Sequence, residues 1–219
     1  METLKNALRG RIGWQWAITI GLYVFFTWLY LFTNDMVTPK YTVHSVIDDY
    51  IPYVNDVVYI YLSWFFMLAW GAVYMTWFCR DSERTWQQYN RHMVCLFGGW
   101  AICIAIFWLW PTKIDFRPEE VYYGTTTQWH TAVLFNSDEP YNVFPSLHCY
   151  STMAIIYGIC TYEPARKGYF HRIAVFLWGV GIIASTVFMK QHSILDMFAA
   201  AVLFAIMWCA AYLPKRNKG

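Results

Sequence analysis

Six long stretches of this chain contain no Asp, Glu, Lys or Arg, and this pattern limits its possible folds more than any other feature. The stretches cover 12–34, 57–79, 93–112, 140–162, 173–189 and 197–214. Each has about the 17 to 25 residues that a helix needs to cross a bilayer. The pattern predicts an all-α, integral-membrane bundle of six transmembrane helices at about 13–33, 55–79, 93–111, 145–162, 173–190 and 193–213.

The low charge content excludes most soluble proteins. Asp, Glu, Lys and Arg make up 14% of the 219 residues, against about 25% in soluble domains. The formal net charge is only +2, far from the large basic field that nucleic-acid binding requires. We therefore expect the lipid bilayer as a partner and no nucleic acid. A homo-oligomer is left open.

The distribution of Lys and Arg predicts the orientation of the chain, because basic residues are enriched in the cytoplasmic loops of membrane proteins. The opposite faces carry only four basic residues, Lys40, Lys113, Arg117 and Lys190. This bias predicts that both termini are cytoplasmic. The termini and the loops after the second and fourth spans carry twelve of the sixteen: Lys5, Arg9, Arg11, Arg80, Arg84, Arg91, Arg166, Lys167, Arg172, Lys215, Arg216 and Lys218.

Two segments could be mistaken for other structures. The first span follows three basic residues, as a signal peptide does, but it is too long and no small-residue cleavage site precedes Asn34. We expect an uncleaved anchor. The uncharged stretch 121–137 contains four Thr, a Gln and a His, so we expect a loop. The sequence contains no low-complexity linker and no obvious repeat, which predicts one domain, 1–219.

The cysteines predict packing and not chemistry. They lie mostly within apolar stretches and lack the spacing of a metal site or a disulfide framework. We therefore expect no metal and no cofactor. The six are Cys79, Cys95, Cys103, Cys149, Cys160 and Cys209.

A group of polar residues gathers at the outer ends of the last three spans and in the loop before them. His192 and Asp196 are four residues apart, which predicts one shared face at the start of the sixth helix. A carboxylate bonded to one ring nitrogen fixes the tautomer and leaves the other nitrogen free to act as a base or nucleophile. The alternative is a packing pair at a helix end.

The fourth span begins with a second polar group. Pro145 suits the first turn of a helix, and this places Ser146 and His148 among the free backbone N–H groups of the N-terminus. Such an end binds phosphate, and a histidine there can protonate a leaving oxygen. The alternative is an ordinary first turn with an interfacial histidine.

Three cations lie close to these groups along the chain. Lys113 and Arg117 follow the third span, and Lys190 precedes the sixth. Each could neutralise phosphoryl oxygens, and the positive-inside rule disfavours them on the outer face unless they have another role. Two His, one Asp, one Ser and three cations are the groups that phosphoryl transfer through a phosphohistidine uses.

These residues resemble motifs of the type-2 phosphatidic acid phosphatase superfamily of integral-membrane enzymes. Its second motif, Pro-Ser-Gly-His, is here Pro145-Ser146-Leu147-His148, with Leu147 in place of Gly. Its third motif is Ser-Arg, then His, then Asp four residues later. Here Ser185-Thr186 precedes His192 and Asp196 with matching spacing, and Thr186 replaces the Arg.

The first motif, a Lys followed by Arg-Pro, is shortened in this chain. Three residues separate Lys113 from Arg117 where the family has six, and Trp110 stands at the usual Lys position. The resemblance covers about residues 50–213. The Trp-Pro-Thr run at 110–112 and the Lys-Gln-His run at 190–192 resemble the branch that includes inositol phosphorylceramide synthases.

The resemblance implies a six-helix bundle with a metal-independent active site at the outer membrane boundary. His192 would be the nucleophile, Asp196 its orienting partner, and His148 the acid that protonates the leaving group and later activates the acceptor. Phosphate would be bound by Ser146, Arg117 and, less closely matched to the motif, Lys113. Lys190 would supply the charge that is missing at Thr186.

The implied function is a membrane lipid phosphatase that hydrolyses a lipid phosphomonoester or pyrophosphate at the non-cytoplasmic face. Phosphatidic acid, phosphatidylglycerol phosphate and a polyprenyl pyrophosphate are candidate substrates, and an outward site suits a bacterial plasma membrane. The second hypothesis is a lipid phosphotransferase with an alcohol as acceptor. The third is a non-catalytic lipid or phosphate carrier, which the departures at Lys113 and Thr186 would support.

The other histidines suggest no metal site, because no compact set of three ligands is present. We expect them in loops or at the membrane interface, with His130 on the active-site loop within reach of a headgroup. They are His44, His92, His130 and His171.

Overall fold

The computed structural model describes residues 2–78, 82–118, 124–162 and 168–213, with every side chain except those of 2–13 and 78. Several residues of the sequence predictions therefore lie outside the described part. They are Cys79, Arg80, residues 121–123, Arg166, Lys167, Lys215, Arg216 and Lys218, together with the side chains of Lys5, Arg9 and Arg11.

The described chain is all-α, as predicted, apart from one pair of very short strands. The strands β1 (Tyr41–Thr42) and β2 (Thr112–Lys113) pair in parallel, and a single 3-10 turn, Asn55–Val57, precedes the third helix. The helices are α1 (Glu2–Met36), α2 (Val46–Tyr50), α3 (Val58–Phe78), α4 (Glu83–Leu109), α5 (Thr126–Ser137), α6 (Leu147–Thr161), α7 (Tyr169–Phe188) and α8 (Ile194–Tyr212).

Five segments among the described residues are long and apolar enough to cross a bilayer, which makes this an integral membrane protein. The predicted fourth span forms α6, which has 15 residues. At 1.5 Å per residue α6 is about 22 Å long, less than the hydrocarbon core of about 30 Å. The count of six spans and the orientation of the termini stay predictions. The five segments are Trp14–Met36, Asn55–Trp77, Glu83–Leu109, Tyr169–Phe188 and Ile194–Tyr212.

The short helix α6 lies at the centre of the bundle. It packs against α3, α4, α7 and α8, whereas α1 packs at the edge against α3 and α4. Gly99 and Gly158 allow α4 and α6 to approach closely. A Cβ on Gly99 would lie 1.8 Å from Cζ of Tyr150, and one on Gly158 would lie 2.5 Å from Nδ1 of His92. Small residues serve such close helix contacts in membranes, and here they hold the central helix that carries His148.

The prediction of a loop over 121–137 is wrong in its described part, because Thr126–Ser137 form the helix α5. Thr125 caps this helix: its hydroxyl accepts a hydrogen bond from the backbone N–H of Gln128, whose side chain accepts one from the Thr125 N–H. This reciprocal capping box favours a helix start. The segment is too polar to span the membrane, but polarity alone does not prevent it from being helical.

The expectation that His92 lies in a loop or at the interface is also wrong. A capping box between Ser82 and Thr85 starts α4 at Glu83, ten residues before the predicted third span. His92 is therefore inside the helix and fully buried. His130 lies on α5 and not on a loop, and His171 lies in the first turn of α7.

The described cysteines are all free, in agreement with the sequence spacing. Cys95, Cys103 and Cys149 are buried in the bundle and serve packing, as predicted. Cys160 is half-buried and Cys209 is exposed on α8.

Candidate active site

His192 and Asp196 meet at the N-terminus of α8. Nδ1 of His192 lies 3.3 Å from Oδ2 of Asp196, and the same oxygen accepts a hydrogen bond of 2.9 Å from the backbone N–H of Ser193. Ser193 is the N-cap of α8, so Asp196 is the acidic partner in a capping box. Asp196 is fully buried and His192 is 7% exposed. The carboxylate thus both caps the helix and orients the imidazole.

The prediction that His192 and Asp196 share one helical face needs a correction. α8 begins at Ile194, so His192 lies two residues before the helix. Its position comes from the turn after α7, in which the backbone N–H groups of Gln191 and His192 both donate to the carbonyl of Thr186. The pair forms because the capping box draws Asp196 back toward the turn.

Ser146 and His148 lie at the N-terminus of α6, on the other side of the site. Ser146 is the N-cap, and its hydroxyl accepts a hydrogen bond from the backbone N–H of Cys149. Its own N–H donates to the carbonyl of Asp196 at 3.2 Å, which ties α6 to α8. Pro145 was predicted in the first helical turn, but it precedes the cap, because the Ser146 side chain takes the capping position.

The two histidines face each other across this junction. Nε2 of His192 lies 3.4 Å from Nδ1 of His148. The ring of His148 also packs against Trp64, with 4.2 Å between ring centroids, and Trp64 donates its indole N–H to Ser151 on α6. With His148 only 9% exposed, both imidazoles sit in a largely dry site where electrostatic interactions are strong.

Two residues that the sequence analysis did not select complete the contacts of His148. The hydroxyl of Tyr61, on α3, lies 3.1 Å from Nε2 of His148. The same hydroxyl donates to Oδ2 of Asp138 at 3.4 Å, and Tyr30 donates to Oδ1 of Asp138 at 3.3 Å. Asp138 is the C-cap residue of α5. These contacts link α1, α3 and α5 to the imidazole.

The environment of Asp138 disfavours its charged form. Burial raises the pKa of this carboxyl, while the positive charge of His192, the hydrogen bonds from Tyr30 and Tyr61 and the charge of Arg117 oppose the shift. A carboxyl group with a raised pKa beside two histidines is common at functional sites. The only signal in the sequence was an Asp in the segment before the second motif.

Lys190 contacts α2 through its side chain. It has a φ of 55°, and its Nζ donates to the backbone carbonyl of Asp48 at 2.5 Å. The ammonium also lies 5.3 Å from the ring centroid of Phe116. The side chain is buried, so its predicted role in phosphate binding requires the exchange of one carbonyl for a phosphoryl oxygen.

Asp48 connects α2 to the motif that contains His192. Its carboxylate accepts hydrogen bonds from the Ser193 hydroxyl at 2.5 Å, from the Ile194 N–H at 2.9 Å and from the Ser45 N–H at 2.9 Å. Asp48 is fully buried. The sequence showed no sign of this contact, because Asp48 and Ser193 are 145 residues apart.

The other two predicted phosphate ligands have different surroundings. Arg117 donates to the carbonyls of Asp138 at 2.7 Å and Phe135 at 3.1 Å, so its guanidinium caps the C-terminus of α5. Burial lowers the pKa of Arg117, against the opposing charges of Asp138 and Glu139. Lys113 lies on β2 with an exposed side chain. The structure thus leaves the phosphate-binding roles of Arg117 and Lys113 as predictions.

Thr186 occupies the place of the family's Arg, and its side chain is fully buried. Its hydroxyl donates to the carbonyl of Ile183 at 2.7 Å and lies 3.5 Å from Sγ of Cys149. The position therefore joins α7 to α6 and supplies no charge.

Among the described residues, no group of three His, Cys, Asp or Glu side chains could hold a metal ion.

A cavity of about 430 Å³ opens beside His148, between α1, α3 and α5. Apolar side chains such as Leu31, Leu68 and Val133 line most of it. Its polar lining is concentrated where Tyr61, Asp138 and His148 meet. The cavity has the size range of ligand sites in proteins.

Comparison with protein families supports the motif resemblance. The chain matches the family described as the PAP2 superfamily over residues 42–210, which include every predicted site residue. Comparison with curated proteins and with solved structures gave no match.

Proposed function

Because the chain belongs to the PAP2 superfamily, whose members act generally as lipid phosphatases or phosphotransferases, we propose that it hydrolyses a lipid phosphomonoester or pyrophosphate through a phosphohistidine. The observation that carries this proposal is the pair of contacts of His192, with Asp196 on one side and His148 on the other. A nucleophile held by an orienting group and facing an acid is the arrangement that covalent catalysis requires.

In the first step His192 attacks phosphorus. Asp196 keeps a proton on Nδ1 of His192, so the electron pair of Nε2 forms the new N–P bond. The P–O bond to the lipid breaks, and its electron pair stays on the leaving oxygen. That oxygen takes the proton from Nδ1 of His148, the nitrogen that faces His192.

In the second step water replaces the lipid. A water molecule gives a proton to Nδ1 of His148 while its oxygen attacks phosphorus, and the N–P bond breaks back to Nε2 of His192. Inorganic phosphate leaves, and His148 again carries the acid proton. The helix N-terminus capped by Ser146, with Lys190, Arg117 and Lys113 as predicted ligands, would neutralise the phosphoryl oxygens.

The apolar cavity beside His148 supports a lipid as the substrate. A phosphate ester placed at the two histidines can direct its hydrocarbon part between α1 and α3, where Leu31, Leu68 and Trp100 line the cavity. A hydrocarbon chain that comes from the bilayer keeps an apolar environment in this cavity. A soluble phosphate ester would gain nothing from this surface.

We propose six spans with both termini in the cytoplasm, which puts the site at the outer membrane boundary of a bacterial plasma membrane. Twelve of the sixteen Lys and Arg residues support this orientation through the positive-inside rule. The site lies at the N-termini of α6 and α8 and near the start of α3, all at one end of the bundle. Reporter fusions after residue 40 and at the C-terminus test the orientation.

A lipid phosphotransferase is the second candidate, and the cavity is the observation that favours it. A lipid alcohol in this cavity would bring its hydroxyl to His148 as directly as water. The proposed similarity to inositol phosphorylceramide synthases points the same way. The donor would then leave its phosphoryl headgroup on His192 for transfer to the alcohol.

The test is phosphate release by the purified protein in detergent, with phosphatidic acid, phosphatidylglycerol phosphate and a polyprenyl pyrophosphate. Each is assayed with and without inositol or diacylglycerol. We expect phosphate release that persists in EDTA and is lost in His192→Ala, while His171→Gln, on α7, acts as the wild type. Transfer only to the added alcohol supports the phosphotransferase. Lipid or phosphate binding without turnover supports the carrier, and dependence on a divalent ion contradicts the proposed mechanism.

A further inference from the structure

We propose that Tyr61 and Asp138 are positioning residues for the acid: they hold the neutral His148 ring with its proton on Nε2 and so reserve Nδ1 for the reacting phosphate. This inference rests on the proposed function for its kinetic consequence. Its structural content, the tautomer of His148, can be measured without any turnover.

The direction of the hydrogen bonds carries the first step. Asp138 is within hydrogen-bond distance of two hydroxyl donors, Tyr30 at Oδ1 and Tyr61 at Oδ2. A hydroxyl has one proton to donate and lone pairs to accept. When the Tyr61 proton points to Asp138, the Tyr61 oxygen can only accept from Nε2 of His148, 3.1 Å away. The acceptor oxygen Oδ2 of Asp138 therefore sets the tautomer through the Tyr61 hydroxyl.

The opposite tautomer leaves a polar group without its partner. With its proton on Nδ1, His148 would present a bare Nε2 to Tyr61. Tyr61 would then donate to Nε2 and withdraw its proton from Asp138, whose Oδ2 accepts no other hydrogen bond from the described side chains. An acceptor deprived of its donor in a largely dry site is costly.

On the other side of the ring, this assignment leaves Nδ1 of His148 free to take the acid proton. Asp196 holds the proton of His192 on Nδ1, so Nε2 of His192 is bare where it faces Nδ1 of His148. Two bare nitrogens face each other across 3.4 Å. This gap can hold one added proton, and on Nδ1 of His148 that proton would face the position where the leaving oxygen must lie. Tyr61 thereby makes Nε2 the nitrogen that holds the His148 ring and leaves Nδ1 as the nitrogen that reacts.

The ring has a second support, which makes a clean test possible. Trp64 packs on His148 and is itself bonded to Ser151. Removal of the Tyr61 hydroxyl should therefore leave the ring in place and release only its tautomer. Tyr59→Phe removes the same hydroxyl two residues away on α3, where Tyr59 contacts His130 and not His148, and provides the matched control.

The kinetic test uses leaving groups of different basicity. Single-turnover release is measured for a lipid phosphate and for p-nitrophenyl phosphate, whose phenolate needs little protonation. General acid catalysis contributes about 10²-fold to 10⁴-fold, so we expect Tyr61→Phe to slow lipid release by roughly 10-fold to 10²-fold. Release of p-nitrophenol should change by less than about 3-fold. His148→Gln should show the same selectivity with a larger loss, and Tyr59→Phe should change neither rate.

Variants of Asp138 test whether an uncharged acceptor oxygen is enough to hold the proton of the Tyr61 hydroxyl. Asp138→Leu removes the acceptor of the Tyr61 proton and should match Tyr61→Phe. Asp138→Asn keeps one carbonyl oxygen and should recover part of the lost rate on the lipid substrate. Equal slowing of both substrates by Tyr61→Phe would indicate a general structural role and overturn the proposal.

The spectroscopic test does not depend on activity. In protein labelled with ¹⁵N-histidine, the His148 signals, assigned by their loss in His148→Gln, report which nitrogen carries the proton. We expect a protonated Nε2 in the wild type and in Tyr59→Phe, and a mixture of tautomers in Tyr61→Phe. A wild-type ring protonated on Nδ1, or no change in Tyr61→Phe, overturns the inference. If neither substrate turns over but the tautomers behave as expected, the proposed function fails and the positioning of His148 stands.

Discussion

The two histidines of the site are held over very different distances along the chain. His192 is bonded to Asp196, four residues away, whereas His148 contacts Tyr61, 87 residues away. The first contact lies within one turn and the start of one helix. The second depends on how α3 and α5 pack against α6. A change in helix packing should therefore disturb the acid before it disturbs the nucleophile.

The side of His192 nevertheless has one distant support. Asp48 bonds both Ser193 and Ile194, so α2 is fastened to the cap of α8. Lys190 adds a second tie through the carbonyl of Asp48. The two histidines therefore differ in their support. His192 belongs to a local pair with one external clamp, the contact of Asp48 with the start of α8, whereas the imidazole of His148 is held by aromatic residues of α3.

The largest expected effects fall on the local pair. His192→Ala removes the nucleophile and should lower kcat by about 10³-fold or more. Asp196→Asn should lower it by about 10²-fold to 10⁴-fold, because the amide can hold the wrong tautomer. Phosphate release by protein that elutes normally in size exclusion measures both. A folded His192→Ala protein with wild-type rates would refute the phosphohistidine mechanism.

The local pair was predictable from sequence and the distant one was not. Spacing of four residues between His192 and Asp196 predicts proximity at a helix start, even though His192 lies two residues before α8 begins. Tyr61 is one of 17 tyrosines, and no local pattern distinguishes it. Its contact with His148 exists only once α3 has packed against α6.

The fold, like the site, has local features that the sequence predicts and distant contacts that it does not. Charge-free stretches predict membrane helices because the bilayer leaves backbone groups no partner outside the helix. Capping decides where helices end, and it extends α4 by ten residues toward Ser82. The Thr125 and Gln128 of the capping box have the spacing of that motif in the sequence, but the loop prediction used only the polarity of the segment. The turn that directs Lys190 to Asp48 could not be predicted, because its partner is 142 residues away.

A change at Lys190 tests whether its ammonium group supplies charge to the phosphate beside His192. Lys190→Met should lower kcat/KM by about 10²-fold, the scale of one lost transition-state donor, if the ammonium leaves the Asp48 carbonyl for a phosphoryl oxygen. Lys40→Met, which changes an exposed Lys, is the matched control. Unchanged kinetics with a lower Tm would assign Lys190 to the α2 contact alone.

A change at Asp48 tests the external clamp itself. Asp48→Asn places an amide N–H₂ among three donors, from Ser193, Ile194 and Ser45, and should lower the free energy of unfolding by about 1–3 kcal/mol. The neighbouring variant Asp49→Asn, on the exposed side of α2, should cost much less. Thermal unfolding in detergent compares the two. Equal Tm values would show that α2 does not stabilise the start of α8.

The smallest expected effect is a pH dependence at the outer edge of this clamp. His44 bridges α2 and the loop after β2, with Nε2 at 2.8 Å from Asp49 and Nδ1 at 3.0 Å from Asp115. The hydrogen bond with Asp49 raises the pKa of His44 most. Burial opposes this shift, and the charges of Asp115 and Asp49 and the hydrogen bond with Asp115 raise the pKa further. Because the folded-state pKa is higher than the unfolded value of about 6.5, the protonated bridge stabilises the fold fully below about pH 6.5. This contribution is lost as the pH rises through the folded-state pKa.

His44→Gln should therefore lower Tm more at about pH 6 than at about pH 8.5, and Asp115→Asn should show part of that difference. The effect should be small, since the pair is exposed and screened by salt. A Tm difference that is the same at both pH values would show that His44 contributes no charge to the clamp.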